Sequence, residues 1–210
     1  MFANKIYLSY GQKPMKMVME VLDQLKLAAQ IPQGARIGLK PNLVVARPAQ
    51  EGATTSPELV EGVVQYLKNH GFKDIVIAEG SWIGDSTQRA FQVCGYNDLA
   101  ARYGVELVDL QKDGSHARQV EELDLSICNE LEKIDYLINL PVLKGHCQTK
   151  ITCALKNLKG CIPNSEKRRF HSLGLHKPIA YLNKAIHTDL IIVDGLMGDL
   201  DFEEGGNPVQ

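Results

Sequence analysis

Apolar positions along the chain follow two rhythms. Short, almost wholly apolar runs at 36–39, 74–78, 105–110, 134–140 and 190–193 predict buried strands, and a weaker alternation at 5–10 predicts a further short one. Between them, apolar residues recur at helical spacing: Met17, Val18, Val21, Leu22, Leu25 and Ala28 behind Pro14, then Leu59, Val60, Val63, Val64 and Leu67 behind Ser56-Pro57-Glu58. Ser56 reads as a cap for free N–H groups, Pro57 suits the first helical position, and Glu58 complements the dipole. Further helices are predicted at 86–94, 97–103, 151–158 and 177–187, and the polar stretch 111–129 reads as an excursion holding a weak hairpin or edge strand.

This alternation predicts an α/β fold: an open, largely parallel sheet with helices on both faces, spanning 1–210 as one domain. Residues 200–210 follow a strand without a closing element, which is the pattern of a domain truncated at its C-terminus. In open α/β sheets, ligands sit beyond the carboxyl ends of the strands. Those ends here carry Lys40 and Asn42, Glu79, Asp109, the loop 141–150 and Asp194, with Thr54 on the loop that follows the first of them.

The stretch 139–163 contributes most to that rim, with four lysines, one histidine and three of the five cysteines. Lys144, Lys150, Lys156 and Lys159, with Lys40 opposite, suit an anionic small molecule or cofactor, and a helix starting near Thr149 would aim N–H groups the same way. Lysines at helical spacing equally describe a solvated face. Lys156 and Lys159 are one turn apart and share a side of a helix. Lys144, His146 and Lys156 are the catalytic candidates, since a buried lysine can serve as nucleophile or base and a histidine as acid, base or metal ligand. Lys40, Asn42, Thr54, Glu79, Thr149, Asn157 and Lys159 are the ligand-binding candidates, and His146 is the metal candidate. Residues 167–170, Lys-Arg-Arg-Phe, in a loop that continues to His171 and His176, read as a solvated charge run, with anion recognition as the alternative.

The cysteines have no Cys-x-x-Cys spacing, which argues against a zinc ribbon, a ferredoxin run or a disulfide framework. Neither a Gly-x-Gly-x-x-Gly nor a Gly-Lys-Ser/Thr element is present to hold a nucleotide. With 210 residues, 44% of them hydrophobic, the chain can bury a substantial core. A formal charge of −2 argues against a nucleic-acid partner held by bulk electrostatics. No apolar run approaches the roughly 20 residues of a membrane span, and the start lacks the apolar core of a signal peptide, so the expectation is a cytoplasmic protein without a membrane partner.

Several segments together resemble domain-of-unknown-function family 362: Ile37-Gly-Leu-Lys-Pro-Asn42, Thr54-Thr-Ser-Pro57, Val76-Ile-Ala-Glu-Gly80, Asn139-Leu-Pro-Val-Leu-Lys-Gly-His146, Leu155-Lys-Asn-Leu-Lys-Gly160 and Val193-Asp-Gly195. The resemblance implies a link to iron–sulfur proteins, since many members carry a ferredoxin-like cluster domain, and it implies further chain after the Asp-Gly segment. This chain lacks the cysteine runs of that domain, so a metal or iron–sulfur centre is implied by resemblance alone. A shorter stretch, Lys159-Gly-Cys-Ile-Pro163 followed by His171, is similar to the part of nickel-pincer lactate racemases where a lysine carries the cofactor and a histidine binds nickel. Two functions stand open on these grounds: a rim site for an anionic ligand, with or without metal-assisted catalysis, and a non-catalytic redox accessory that docks a ferredoxin-like partner or domain.

Overall fold

The computed structural model describes residues 5–210. Five parallel strands form its sheet: β1 (Ile37–Pro41), β2 (Ile75–Glu79), β3 (Glu106–Asp109), β6 (Tyr136–Leu140) and β9 (Leu190–Ile191), in the spatial order β3-β2-β1-β6-β9. The helices are α1 (Pro14–Leu25), α2 (Pro57–Asn69), α3 (Thr87–Val93), α4 (Tyr96–Tyr103), α5 (Ala154–Asn157), α6 (Asn164–Leu173) and α7 (His176–Ala185). Strand residues alternate between two cores. Ile37, Leu39, Ile75, Ile77, Ile138 and Leu140 pack with residues of α1, α2 and α4, whereas Ala78 and Leu137 pack with Leu158, Phe170, Ile179 and Leu182 on the other face. Helices therefore cover both faces, and β1, β2 and β6 are buried throughout, whereas the runs expected to be buried at 105–110 and 190–193 form the edge strands β3 and β9, which are partly exposed because each has a neighbour on one side only.

The sheet grows outward from β1 in both directions. The chain lays β2 and then β3 on one side of β1, crosses back, and lays β6 and then β9 on the other. The reversal leaves a crevice beyond the carboxyl ends of β1 and β6, where connections run to opposite faces and open sheets of this kind hold their ligands.

Local expectations fare unevenly. The mixed stretch 111–129 holds an antiparallel hairpin, β4 (Ser115–Val120) and β5 (Leu123–Cys128). Residues 5–10 form no ladder, and their alternating Ile6, Leu8 and Tyr10 face solvent, so the pattern has no sheet to join. Ser56 precedes α2 as expected, yet its side chain makes no cap; its own N–H donates instead to Asp194 Oδ2 at 2.7 Å. The expected helix at 151–158 is corrected too. Lys144–His146 (β7) and Lys150–Thr152 (β8) pair as a tight hairpin, with Lys150 in the left-handed region at φ 67°, and α5 begins only after it. Residues 167–170 lie in α6 rather than in a loop, and Lys167 is buried rather than solvated. Beyond β9, the strap 196–210 folds across the rim through the short pair β10 (Gly198–Asp199) and β11 (Pro208–Val209).

Candidate functional site

At the crevice, Asn157 ties the two halves of the sheet together. Its Nδ2 donates to Lys40 O at 3.1 Å and to Asn139 Oδ1 at 2.7 Å, while Asn139 Nδ2 donates to Ala154 O at 3.0 Å. Beneath it lies a buried ion pair. Lys40 Nζ donates to Glu79 Oε2 at 2.6 Å and to Pro41 O at 2.7 Å, and Lys40 is only 1% exposed. Glu79 is fully used, since Oε2 also accepts from Leu43 N at 3.1 Å and Oε1 from Gly80 N at 2.7 Å. Gly160 closes over this pair, and a Cβ there would stand 2.2 Å from Glu79 Oε1 and 2.7 Å from Lys40 Nζ. Lys40 and Glu79 thus form a floor that satisfies itself.

Lys144 is likewise occupied. From β7 its amine donates to Ala53 O and Glu203 O, each at 2.5 Å, and to Asn42 Oδ1 at 3.4 Å. Burial, reinforced by the charge of Lys156, pulls this lysine down to about 7, but three acceptors around one amine call for three N–H bonds, and the geometry holds the ammonium form. The carbonyl of Glu203 comes from the strap, which Asp199 shapes: its carboxylate accepts from the N–H groups of Asp201, Phe202 and Asn207, each at 2.8 Å. Gly145 of β7 admits the strap, because a Cβ there would lie 1.9 Å from Leu200 O.

Above this floor opens a cleft of about 110 Å³ whose lining includes Asn42, Asn157, His146, Lys156, Lys159, Lys167, His171 and Glu203. A larger cavity of about 240 Å³, lined by Arg118, Leu137 and Asp189 among others, lies toward the amino end of β6, away from these groups. The lysines of the cleft differ in what holds them. Lys167 Nζ donates to Gly80 O at 2.9 Å and Ser81 O at 2.8 Å, and Lys159 Nζ lies 3.2 Å from His171 Nε2. Lys156 has no hydrogen bond or ion pair among the described residues. Burial pulls Lys156, Lys159 and Lys167 each down to about 8, with neighbouring lysines adding to the effect at Lys159 and Lys167. Among the described residues, no carboxylate lies within ion-pair distance of any of the three.

His146 presents a defined tautomer. Its Nδ1 accepts from Gln148 N at 3.0 Å and Thr149 N at 3.1 Å, which assigns the ring proton to Nε2, 3.3 Å from Glu203 Oε1. Burial and then Lys156 push the ring down to about 4, so it is neutral near pH 7 and donates from Nε2. Ligating atoms of His146, Cys147 and Glu203 lie within 4.8 Å of one another. A ligating histidine ordinarily donates its other ring N–H to an acceptor. Here two donors fill Nδ1, so coordination through Nε2 would require an imidazolate.

Of the residues singled out from sequence, Asn42, His146, Lys156, Asn157 and Lys159 line the cleft together, with Glu79 at its floor. Lys40 and Lys144 lie beneath, their amines spent. Thr149 acts through its N–H on His146, and Thr54 donates from Oγ1 to Arg47 O at 2.8 Å without lining the cleft. Glu203 was not among those singled out, and Lys167, expected in a solvated charge run, lines the cleft as well. An acidic pair, Glu203-Glu204, in a chain whose rim is rich in lysine was the available signal. Of the thiols, Cys94, Cys128 and Cys161 are buried, with burial pushing them up to about 11, 12 and 12, while Cys147 is exposed.

The molecule is thus an open α/β protein with a lysine-lined cleft at the reversal point of its sheet. The model of the domain of unknown function DUF362 matches residues 37–210, and the chain belongs to that family. It is 32% identical over 184 residues to a thylakoid-associated protein of Synechocystis sp., a match covering 84% of this chain and 55% of that relative. The chain spans about half the length of this curated relative. Among solved structures, the lactate racemase apoprotein of Thermoanaerobacterium thermosaccharolyticum shares the fold, with a TM-score of 0.58 at 12% identity over 86% of this chain and 49% of that one. Among the described residues, no helix is long and apolar enough to cross a membrane.

Proposed function

We propose that the cleft binds a small anionic molecule, with Lys156 and Lys159 supplying the charge and Asn42, Asn157 and the Nε2–H of His146 supplying hydrogen bonds. One observation supports this reading: two lysine amines on one short helical segment are partly buried in a cleft where neither is ion-paired, Glu203 in the same lining acting on them only from beyond ion-pair distance. Such groups are costly in the free protein, and an anion offsets that cost on binding. The structural neighbour is the apoprotein of a lactate racemase, and lactate, a small hydroxycarboxylate, belongs to the class of ligand this charge suits. His146 acts here as a neutral donor rather than a metal ligand, because its Nδ1 is filled by two N–H groups. The redox-accessory alternative draws no support from the thiols, three of which are buried with raised pKa values.

Isothermal titration with a panel of small carboxylates and inorganic phosphate tests the reading. The K156A/K159A double variant should lose binding at least about tenfold while keeping its melting temperature. Equal affinity in the variant, or no binding of any member of the panel by the wild type, overturns it.

A further inference from the structure

We propose that Lys156 is a nucleophile that forms an imine with a small carbonyl-bearing carboxylate of the 2-oxo acid class. This inference rests on the anion-binding reading and adds a chemical role to one of its residues.

Occupancy of the amines singles out this lysine. Of the five gathered at the crevice, Lys40 is held by Glu79 and Pro41 O, Lys144 by two carbonyls and Asn42, Lys167 by Gly80 O, Ser81 O and Asn164, and Lys159 abuts His171. The amines of Lys40, Lys144 and Lys167 spend N–H bonds on acceptors, which favours the protonated form and fixes their positions, and Lys159 is engaged with a ring nitrogen. Lys156 lines the cleft and has no such partner among the described residues, so its nitrogen lone pair is available to a ligand. Lys159 follows one turn later on the same side, where its ammonium can hold a carboxylate while the adjacent carbonyl carbon faces Lys156.

The Lys156 nitrogen adds to the carbonyl carbon, and the carbonyl π bond opens to give a carbinolamine. Two protons from the amine end on the former carbonyl oxygen, the C–O bond breaks, and water leaves as the C=N bond forms. No oxidant or reductant is consumed. The Nε2–H of His146 offers a donor to the oxygen, and Glu203 beside it offers an acceptor for protons in transit. Burial, which pulls Lys156 to about 8, gives it roughly 300-fold more free amine at pH 7 than an ordinary lysine.

The test is reductive trapping. The intact chain is incubated at pH 7 with pyruvate and sodium cyanoborohydride, and the adduct is located by peptide mass spectrometry. The expected result is one reduced adduct on Lys156, formed on the order of a hundredfold faster than on surface lysines. K156R should abolish it, and K159A should slow trapping of pyruvate more than trapping of the uncharged ketone dihydroxyacetone. Labelling spread evenly over surface lysines, or adduct formation undiminished in K156R, overturns the nucleophile assignment. Should pyruvate bind by titration without trapping at Lys156, the imine falls while the anion site stands. If pyruvate neither binds nor traps and no other anion binds, both fall.

Discussion

The two ends of the sheet handle charge in opposite ways. At the amino end, Arg36 reaches Asp74 at 2.7 Å, Glu106 at 2.8 Å and Glu130 at 2.7 Å, while its backbone N–H donates to Asp135 Oδ2 at 2.8 Å. Hydrogen bonds to Glu130 and Glu106 raise the arginine further above its usual range, and Glu130 is held below the carboxylate range by Lys133 and Arg36 despite its burial. Every shift in that network favours the charged form. At the carboxyl end, burial lowers Lys144, Lys156, Lys159 and Lys167, so the shifts oppose charge. The amino end is complete within the chain. At the carboxyl end, Lys156 and Lys159 have no ion-pair partner among the described residues, and on the proposed reading a bound anion supplies one.

That contrast can be broken in several ways. K40A strands Glu79 in the floor and should cost about 3–5 kcal/mol by chemical denaturation. G160A drives a methyl group into the same pair and should cost about 1–3 kcal/mol. R36A leaves the buried Glu130 carboxylate with Lys133 alone and should cost about 2 kcal/mol while leaving anion affinity unchanged. Loss of anion binding in R36A would erase the distinction between the ends. The R36A deficit should itself shrink as pH falls through the carboxylate range, because a depressed Glu130 contributes stability only while it is ionised.

The cleft lysines carry the opposite sign. Their folded pKa values, about 8, lie below the ordinary 10.5, so between about pH 8 and 10.5 the unfolded chain binds more protons and their contribution to stability rises with pH. Above pH 9 the buried thiols work the other way, since they ionise more readily once unfolded. Anion affinity should be flat below pH 8 and fall about tenfold per unit above it for each lysine that must be charged. Titration calorimetry across pH 6 to roughly 9.5 reads this directly, and an affinity indifferent to pH would detach the lysines from the ligand.

The sheet was legible because β1, β2 and β6 are buried on both faces and are bounded by proline, glycine or charge, while the edge strand β3 keeps Leu107 and Val108 between two acidic residues. The location of the crevice followed from strand alternation alone. What escaped was local. Lys150-Ile-Thr152 alternates too briefly to separate strand from helix, so the β7–β8 hairpin was read as the start of α5. In α6, the buried face includes Glu166 and Lys167 beside Phe170, and an apolar periodicity cannot register a face built partly from charge. Roles within the site were the hardest to read. Lys40 and Lys156 are both lysines near the rim, but only the pairing of Lys40 with Glu79, 39 residues away, shows that one belongs to the floor and the other to the cleft.

That floor also bears on the order of assembly. Lys40 and Glu79 belong to one β1–α2–β2 unit, whereas Asn157 reaches Lys40 across 117 positions and Glu203 reaches Lys144 across 59. Contacts that close short loops form ahead of those that close long ones, because less chain entropy is lost. The ion pair can therefore form before the second half of the sheet docks, so Lys40 arrives at the crevice already neutralised. Lys156 and Lys159, by contrast, come late in the chain and have no ion-pair partner among the described residues, so in the folded protein they keep the free amines on which the proposed anion site depends.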